Sequence, residues 1–233
     1  MVKKDTTEGE KLYMISVNDK ADKVLNKLKF DEVGHFYDGL AKVKIKDKWG
    51  FIDKTGKVVI EPKFDYLGNF TEGLAKVESK GKMGFIDKTG KVVVEPKFDN
   101  VGNFTEGLAP VAIEWKFGFI DTTGKVVVEP KYNDVGYFYG GLAPVKVGRK
   151  WGFIDKTGEM VVEPKFDYAL NFYEGLAAVN IEGKLGLIDK TGEVVIEHKD
   201  VGNFFEMFER VSIRRTGICY IDKTGKYGSK LLK

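Results

Sequence analysis

The sequence predicts an all-β protein built from tandem hairpin repeats, and three observations carry that prediction. The string Trp49-Gly50-Phe51-Ile52-Asp53-Lys54-Thr55-Gly56-Lys57-Val58-Val59 returns, with only its first residue changed, from Met83 to Val93. The spacing is 83 − 49 = 34, and further copies begin 34 residues apart at Phe117, Trp151 and Leu185. Each copy places Asp-x-Thr-Gly between two apolar segments, which is the composition of a tight hairpin. No part of the period has the 3.6-residue apolar spacing of an amphipathic helix. The exception is Ala21 to Leu28 in a degenerate first copy, where the turn glycine is missing. A fixed period of this length marks a repeat architecture.

The frame divides the chain into an N-terminal tail (1–14), one repeat domain (15–227) and a C-terminal tail (228–233). The copies are 15–48, 49–82, 83–116, 117–150, 151–184 and 185–215, with a partial last copy over 216–227. In the first, Asp19-Lys20-Ala21-Asp22-Lys23-Val24-Leu25 replaces the Asp-Lys-Thr-Gly-Lys-Val-Val consensus. In the sixth, Glu197-His198-Lys199-Asp200 lacks the usual proline and phenylalanine. Atypical end copies suit units that have a neighbour on one side only.

Within a unit, Phe51 and Ile52 lead into Asp53-Lys54-Thr55-Gly56 and then Lys57 to Ile60. Asp suits the first position of a type I turn, and Gly at the fourth supplies the left-handed residue of a G1 bulge. Pro62 cannot donate to a ladder and is expected to end the second strand. Phe64 to Phe70 reads as an irregular crossing or a short strand. Gly73 to Val77 forms a further strand, closed by a turn near Lys80-Gly81-Lys82. Two closures fit. One is an open β-solenoid or hairpin spiral. The other is a six-bladed β-propeller closed by pairing Leu40-Ala41-Lys42-Val43 with the hairpin at Ile218 to Ile221. The split end copies favour the propeller. The 34-residue period favours the open spiral, because propeller blades usually take about 40–50 residues. The open spiral is the first choice.

Two adjacent aromatic columns run through the copies. Phe36, Phe70, Phe104, Phe138, Phe172 and Phe204 hold one position without variation, as an interior stack would. The next position holds Tyr37, Thr71, Thr105, Tyr139, Tyr173 and Phe205. Successive side chains of an extended segment face opposite ways, so this second column is expected outside. Tyr37, Tyr139, Tyr173 and Phe205 are therefore candidate partner-binding residues, against the plainer reading of a semi-buried β-surface. Trp115, in the turn Glu114-Trp115-Lys116, either anchors a partner or folds back over its sheet. Lys57, Lys91 and Lys125 give way to Glu159 and Glu193, a further difference between copies.

Residues for catalysis are lacking. Asp53, Asp87, Asp121, Asp155, Asp189 and Asp222 recur where a turn needs a side-chain acceptor. Glu61, Glu95, Glu129, Glu163 and Glu197 are expected to pair with lysines across strands. His35 and His198 occupy different positions of the unit, so no metal-ligand spacing emerges. The single Cys219 excludes an intramolecular disulfide and reads as a small apolar residue. Asp-Lys-Thr-Gly-Lys lacks the glycine spacing of a phosphate loop. No catalytic, cofactor-binding or metal residue is assigned. An enzyme would have to draw on the irregular ends, where His35, His198, Glu206, Glu209 and Arg210 lie.

Composition narrows the partners. Lys+Arg 38 against Asp+Glu 35 leaves a net charge of +3, without the basic excess of a nucleic-acid binder. No run of about 18 apolar residues exists to span a membrane. The first twenty residues have no continuous apolar stretch, so no signal peptide is expected, and a cell-surface location would require a trimmed leader.

Lys48-Trp49-Gly50-Phe51-Ile52-Asp53 and Lys150-Trp151-Gly152-Phe153-Ile154-Asp155 resemble the signature of bacterial WG-repeat (KWG-repeat) proteins, and the resemblance runs from Ile15 to Lys226. It implies a repeat type and no particular chemistry. The tryptophan position holds Met83, Phe117, Leu185 and Thr216 in other copies. Hairpin repeats of cell-wall-binding modules are loosely similar. The function expected is a non-enzymatic scaffold for a protein partner, with a cell-wall or glycan polymer as the alternative ligand.

Overall fold

The computed structural model describes residues 30–198 and the strands at 211–214, 217–221 and 227–230. Among the described residues there is no helix, and every strand belongs to an antiparallel sheet that follows chain order. The first sheet is β1 (Glu32–Tyr37), β2 (Leu40–Ile45), β3 (Lys48–Asp53) and β4 (Val58–Phe64). The second is β5 (Tyr66–Thr71), β6 (Leu74–Ser79), β7 (Lys82–Asp87) and β8 (Val92–Phe98). The third comprises β9 (Asn100–Val101), β10 (Leu108–Ile113), β11 (Lys116–Asp121) and β12 (Val126–Tyr132). The fourth comprises β13 (Asp134–Val135), β14 (Leu142–Val147), β15 (Lys150–Asp155) and β16 (Met160–Phe166). β17 (Tyr168–Ala169), β18 (Ala177–Ile181), β19 (Lys184–Ile188) and β20 (Val194–His198) form the fifth. A three-stranded sheet of β21 (Val211–Arg214), β22 (Gly217–Ile221) and β23 (Tyr227–Lys230) follows. None closes into a barrel, and the chain divides into two compact units between Lys97 and Phe98.

A repeat counted from Trp49 thus starts in the middle of a sheet, at β3. Four strands fit into 34 residues because the crossing after Phe64 is itself a strand. In the third to fifth sheets it shrinks to two residues, followed by an irregular stretch and a lone bridge such as Tyr139↔Leu142.

The turns form as their residues require. In each Asp-x-Thr-Gly turn the glycine N–H donates to the Asp carbonyl, as Gly56 does to Asp53 at 2.9 Å. Gly56, Gly90, Gly124, Gly158 and Gly192 all have φ between 82° and 89°. With strands counted by their place within each four-stranded sheet, the β1–β2 turns carry two left-handed residues in succession, such as Asp38 (φ 50°) and Gly39 (φ 83°), the type I′ geometry that matches strand twist.

Three expectations need correcting. Pro62 does not end its strand. β4 runs on to Phe64, with Phe51↔Ile60 and Trp49↔Phe64 paired and a register shift between them. Pro62 sits in that bulge on an edge strand, where no ladder hydrogen bond is demanded of it. The bulge also explains the glycine that follows Trp49, Met83, Phe117 and Trp151. A Cβ on Gly50 would lie 2.3 Å from the Ile60 carbonyl oxygen, and Gly84, Gly118 and Gly152 face the same obstruction. Secondly, the closure that pairs Leu40–Val43 with Ile218–Ile221 does not form. β2 has β1 and β3 on its two edges, and β22 has β21 and β23. Thirdly, Glu61, Glu95, Glu129 and Glu163 are exposed and, among the described residues, make no ion pair, because the bulged edge strand turns them to solvent.

The core lies between successive sheets. In the first unit Phe51, Ile60 and Phe64 of the first sheet meet Leu67, Phe70, Ala75, Val77 and Ile86 of the second. In the second unit Phe119 meets Phe138, and Phe153 meets Phe172, with ring centroids 4.8 and 4.9 Å apart. Phe70, Phe104, Phe138 and Phe172 are buried, as the invariant column predicts, and Phe36 is half-buried. Phe204 lies outside the described residues, as do Ala21 to Leu28 and the side chain of Cys219.

Candidate interaction site

Antiparallel order gives each sheet two ends. The β1–β2 and β3–β4 turns lie at one end, and the β2–β3 turn lies at the other. Tyr37, Tyr139 and Tyr173 precede the β1–β2 turns of the first, fourth and fifth sheets and are 64%, 43% and 66% exposed. Trp115 lies in the β2–β3 turn of the third sheet and is 81% exposed, so it does not fold back over its strands. Within the second unit Trp115 therefore sits at the opposite sheet end from Tyr139 and Tyr173. Phe205 lies outside the described residues, as do Glu206, Glu209 and Arg210; the side chain of His198 is likewise undescribed. Thr71 and Thr105, expected to be exposed, are half-buried beside the turn that closes each hairpin.

The turns beneath these residues are held by carboxylates. Asp53 Oδ1 accepts from Thr55 Oγ1 at 2.6 Å, Thr55 N at 2.8 Å and Lys57 N at 3.1 Å. The same three bonds recur at Asp87, Asp121, Asp155 and Asp189. The threonine hydroxyl, helped by the two backbone N–H groups and opposed by partial burial, holds the Asp53, Asp87 and Asp121 carboxyls below the ordinary Asp range. Lys57 and its equivalents hold the turn through their backbone N–H and C=O, which Glu159 and Glu193 supply equally.

A second carboxylate column escaped the sequence reading. Asp31, Asp65, Asp99 and Asp167 accept from the N–H that opens the β2–β3 turn fifteen residues later, at 2.6 to 2.9 Å. Asn133 does so in the fourth sheet at 2.8 Å. Lys48 and Lys150 also bind Asp65 and Asp167. The signal was available in the Lys-Phe-Asp string, Lys131-Tyr132-Asn133 in the fourth sheet, that precedes each such turn by a constant interval. Trp115 is thereby mounted on a fixed turn and holds a left-handed φ of 61°.

The tryptophans of the repeat signature are structural. Trp151 is buried with Phe153 and Phe166, and Trp49 packs beside Phe51 and Phe64. Lys44 and Lys146 lie over their rings at 5.5 and 5.8 Å. Beside Tyr37 a hollow of about 10 Å³, lined also by His35, Lys42 and Asn69, has room for about one water. Among the described residues no three His, Cys, Asp or Glu side chains come together as a metal site would require, and no helix is long and apolar enough to cross a membrane. The exposed groups can supply ring contacts and hydrogen bonds to a partner.

These features define an all-β tandem-repeat protein whose unit is a four-stranded antiparallel sheet locked by carboxylate-capped turns. The family model described as "WG containing repeat" matches residues 17–49, 49–82, 83–114, 117–151 and 151–184. The chain belongs to the WG-repeat family. No curated protein matches it. Among solved structures it is similar to "KlHsv2 with loop 6CD replaced by a Gly-Ser linker" at 12% identity, covering 86% of this chain and 83% of that one, with a TM-score of 0.49. "Structure of Kluyveromyces lactis Hsv2p" matches at 9% identity over 85% and 74% of the two chains, with a TM-score of 0.44. The "computationally designed Ika4 protein" matches at 12% identity over 56% and 88%, with a TM-score of 0.35.

Proposed function

We propose that this protein is a non-enzymatic scaffold that binds a protein partner through the β1–β2 turn end of its sheets. One observation carries the reading: Tyr139 and Tyr173 stand exposed at the same position of consecutive sheets, each immediately before a hairpin turn. Rigid, amphipathic rings present contact area at little entropic cost, which is why tyrosine is enriched at interface hot spots. At this end of the sheets the Asp-x-Thr-Gly turns are uniform, so these outward changes are where specificity would reside.

The test is affinity capture from cell lysate and its wall fraction, with wild type compared to a Tyr139→Ser, Tyr173→Ser double variant of unchanged melting temperature. A protein retained by wild type and lost by the variant is the expected result. Enrichment of wall polymer alone would make the ligand a glycan. Equal recovery of the same protein by both would remove the tyrosines from the interface.

A further inference from the structure

Glu106, in the β1–β2 turn of the third sheet, reaches across to the fourth. Its Oε1 accepts from Gly140 N at 2.6 Å, and its Oε2 accepts from Gly141 N at 3.0 Å. The Lys156 ammonium lies 3.1 Å from the same Oε2 and donates to the Glu106 carbonyl at 2.9 Å. One carboxylate thus satisfies two backbone N–H groups and one lysine. Burial would raise its pKa, but Lys156 and the two N–H groups together hold it below the ordinary Glu range. In the first unit Asp38 likewise pairs with Lys88 of the next sheet.

One period further on, the donors recur without the acceptor. Adding 34 carries Gly140, Gly141 and Lys156 to Glu174, Gly175 and Lys190, and carries Glu106 to Gly140. Glycine here replaces the acid held by Asp38, Glu72, Glu106 and Glu174 in the other copies. Lys190 nevertheless reaches over the turn: a Cβ on Gly140 would lie 3.1 Å from its Nζ. Among the described residues, the N–H groups of Glu174 and Gly175 and the Lys190 ammonium have no acceptor. Glu174 and Lys190 are exposed, as are Tyr139 and Tyr173, the residues immediately before the two turns.

We propose that this seam between the fourth and fifth sheets is a carboxylate-binding site that takes a glutamate side chain from the partner. The donor set is the one that holds Glu106 one seam earlier, so the chain itself displays the ligand that fits. Two N–H groups and an ammonium suit the two oxygens of a carboxylate through charge-assisted bonds, and a neutral amide lacks the charge to match them. The flanking tyrosines would cover the aliphatic part of the incoming side chain. This site rests on the scaffold reading above and adds the chemistry of the partner.

The test uses the full chain and two blocked peptides, acetyl-Leu-Glu-Leu-amide and its Gln counterpart, followed by the amide resonances of Glu174 and Gly175 at constant ionic strength. Both resonances should move saturably with the Glu peptide, with at least tenfold weaker response to the Gln peptide. Lys190→Met should weaken Glu-peptide binding by about tenfold, the size of one lost charge-assisted contact. Gly140→Glu should abolish it while keeping or raising the melting temperature. The new side chain would supply the missing acceptor, and Glu is already accommodated at φ 49°, 51° and 48° at positions 72, 106 and 174. Still amides, an equal response to both peptides, or full binding by Gly140→Glu would overturn the proposal. A partner lost by the double tyrosine variant but held by Gly140→Glu would sink the carboxylate site and leave the scaffold standing. Peptide binding alongside a partner indifferent to the tyrosines would do the reverse.

Discussion

The β3–β4 turns and the β2–β3 turns sit at opposite ends of the same sheets and obey different rules. The first read Asp-x-Thr-Gly in all five described copies, whereas the second read Lys46-Asp47, Lys80-Gly81, Glu114-Trp115, Gly148-Arg149 and Glu182-Gly183. Both need left-handed residues, so backbone conformation alone does not separate them. Packing does. Gly90, Gly158 and Gly192 lie against the previous sheet: a Cβ on Gly90 would meet Ile60 Cγ1 at 3.1 Å, and one on Gly158 would meet Val128 Cγ2 at 3.0 Å. Gly81, Gly148 and Gly183 have nothing within 4 Å. Between these two kinds of turn, the sequence is held where the glycine packs on a neighbouring sheet and varies where it meets nothing.

The largest effect comes from a matched pair within the second sheet. Gly81→Ala and Gly90→Ala both force an alanine into a left-handed conformation, costing about 1–2 kcal/mol. Gly90→Ala must also displace the Ile60 side chain, which adds about 1–3 kcal/mol of overpacking. Urea unfolding should therefore show Gly90→Ala the more destabilised. Equal losses would mean that the seam yields at no cost and that packing is not what holds these turns constant.

Acid reaches both ends, since the Asp65 and Asp167 carboxyls that hold β2–β3 turns are lowered by Lys48 and Lys150 and by the turn N–H groups. Asp53, Asp87 and Asp121 have folded pKa values below the unfolded value of about 3.9. Their contribution to stability is complete above the unfolded pKa and is lost as the pH falls through the folded one. Melting temperature should hold steady above about pH 5 and drop below about pH 4. Asp121→Asn should melt lower at neutral pH and show a shallower acid limb, since its neutral amide no longer distinguishes the protonation states. An acid limb identical to wild type would exclude Asp121 as a contributor to it.

What could be read from the chain follows the same division. The Asp-x-Thr-Gly turns and the phenylalanine column were legible because each depends on local geometry or on one large side chain repeated without change. The Pro62 bulge was not, because a proline that stops a strand looks the same in sequence as one that bends it. Gly50 was opaque for a related reason: the obstruction above it comes from Ile60, ten residues away on the neighbouring strand. The candidate aromatics were recognised individually, but placing Trp115 at the opposite end from Tyr139 and Tyr173 required the strand count. The carboxylate seam needed the Glu106 geometry before the Gly140 exception acquired meaning.

The smallest effect is the most informative about the variable end. Trp115 occupies the turn position held by Gly81 and Gly183 elsewhere, with a left-handed φ of 61° and nearly all of its ring in solvent. Trp115→Gly removes the left-handed penalty of about 1–2 kcal/mol and gives back about 0.5–1 kcal/mol in backbone entropy. The variant should therefore melt slightly higher, by roughly 1–3 °C for a chain of this size. A lower melting temperature would show that the ring packs in solution and would move Trp115 into the structural set. If the variant is more stable, wild type carries a strained, exposed tryptophan at a net cost to its own fold. Strain of that kind persists where a contact outside the fold needs the residue. A second surface, at the far end of the sheets from the tyrosines, would then be the place to look for that contact.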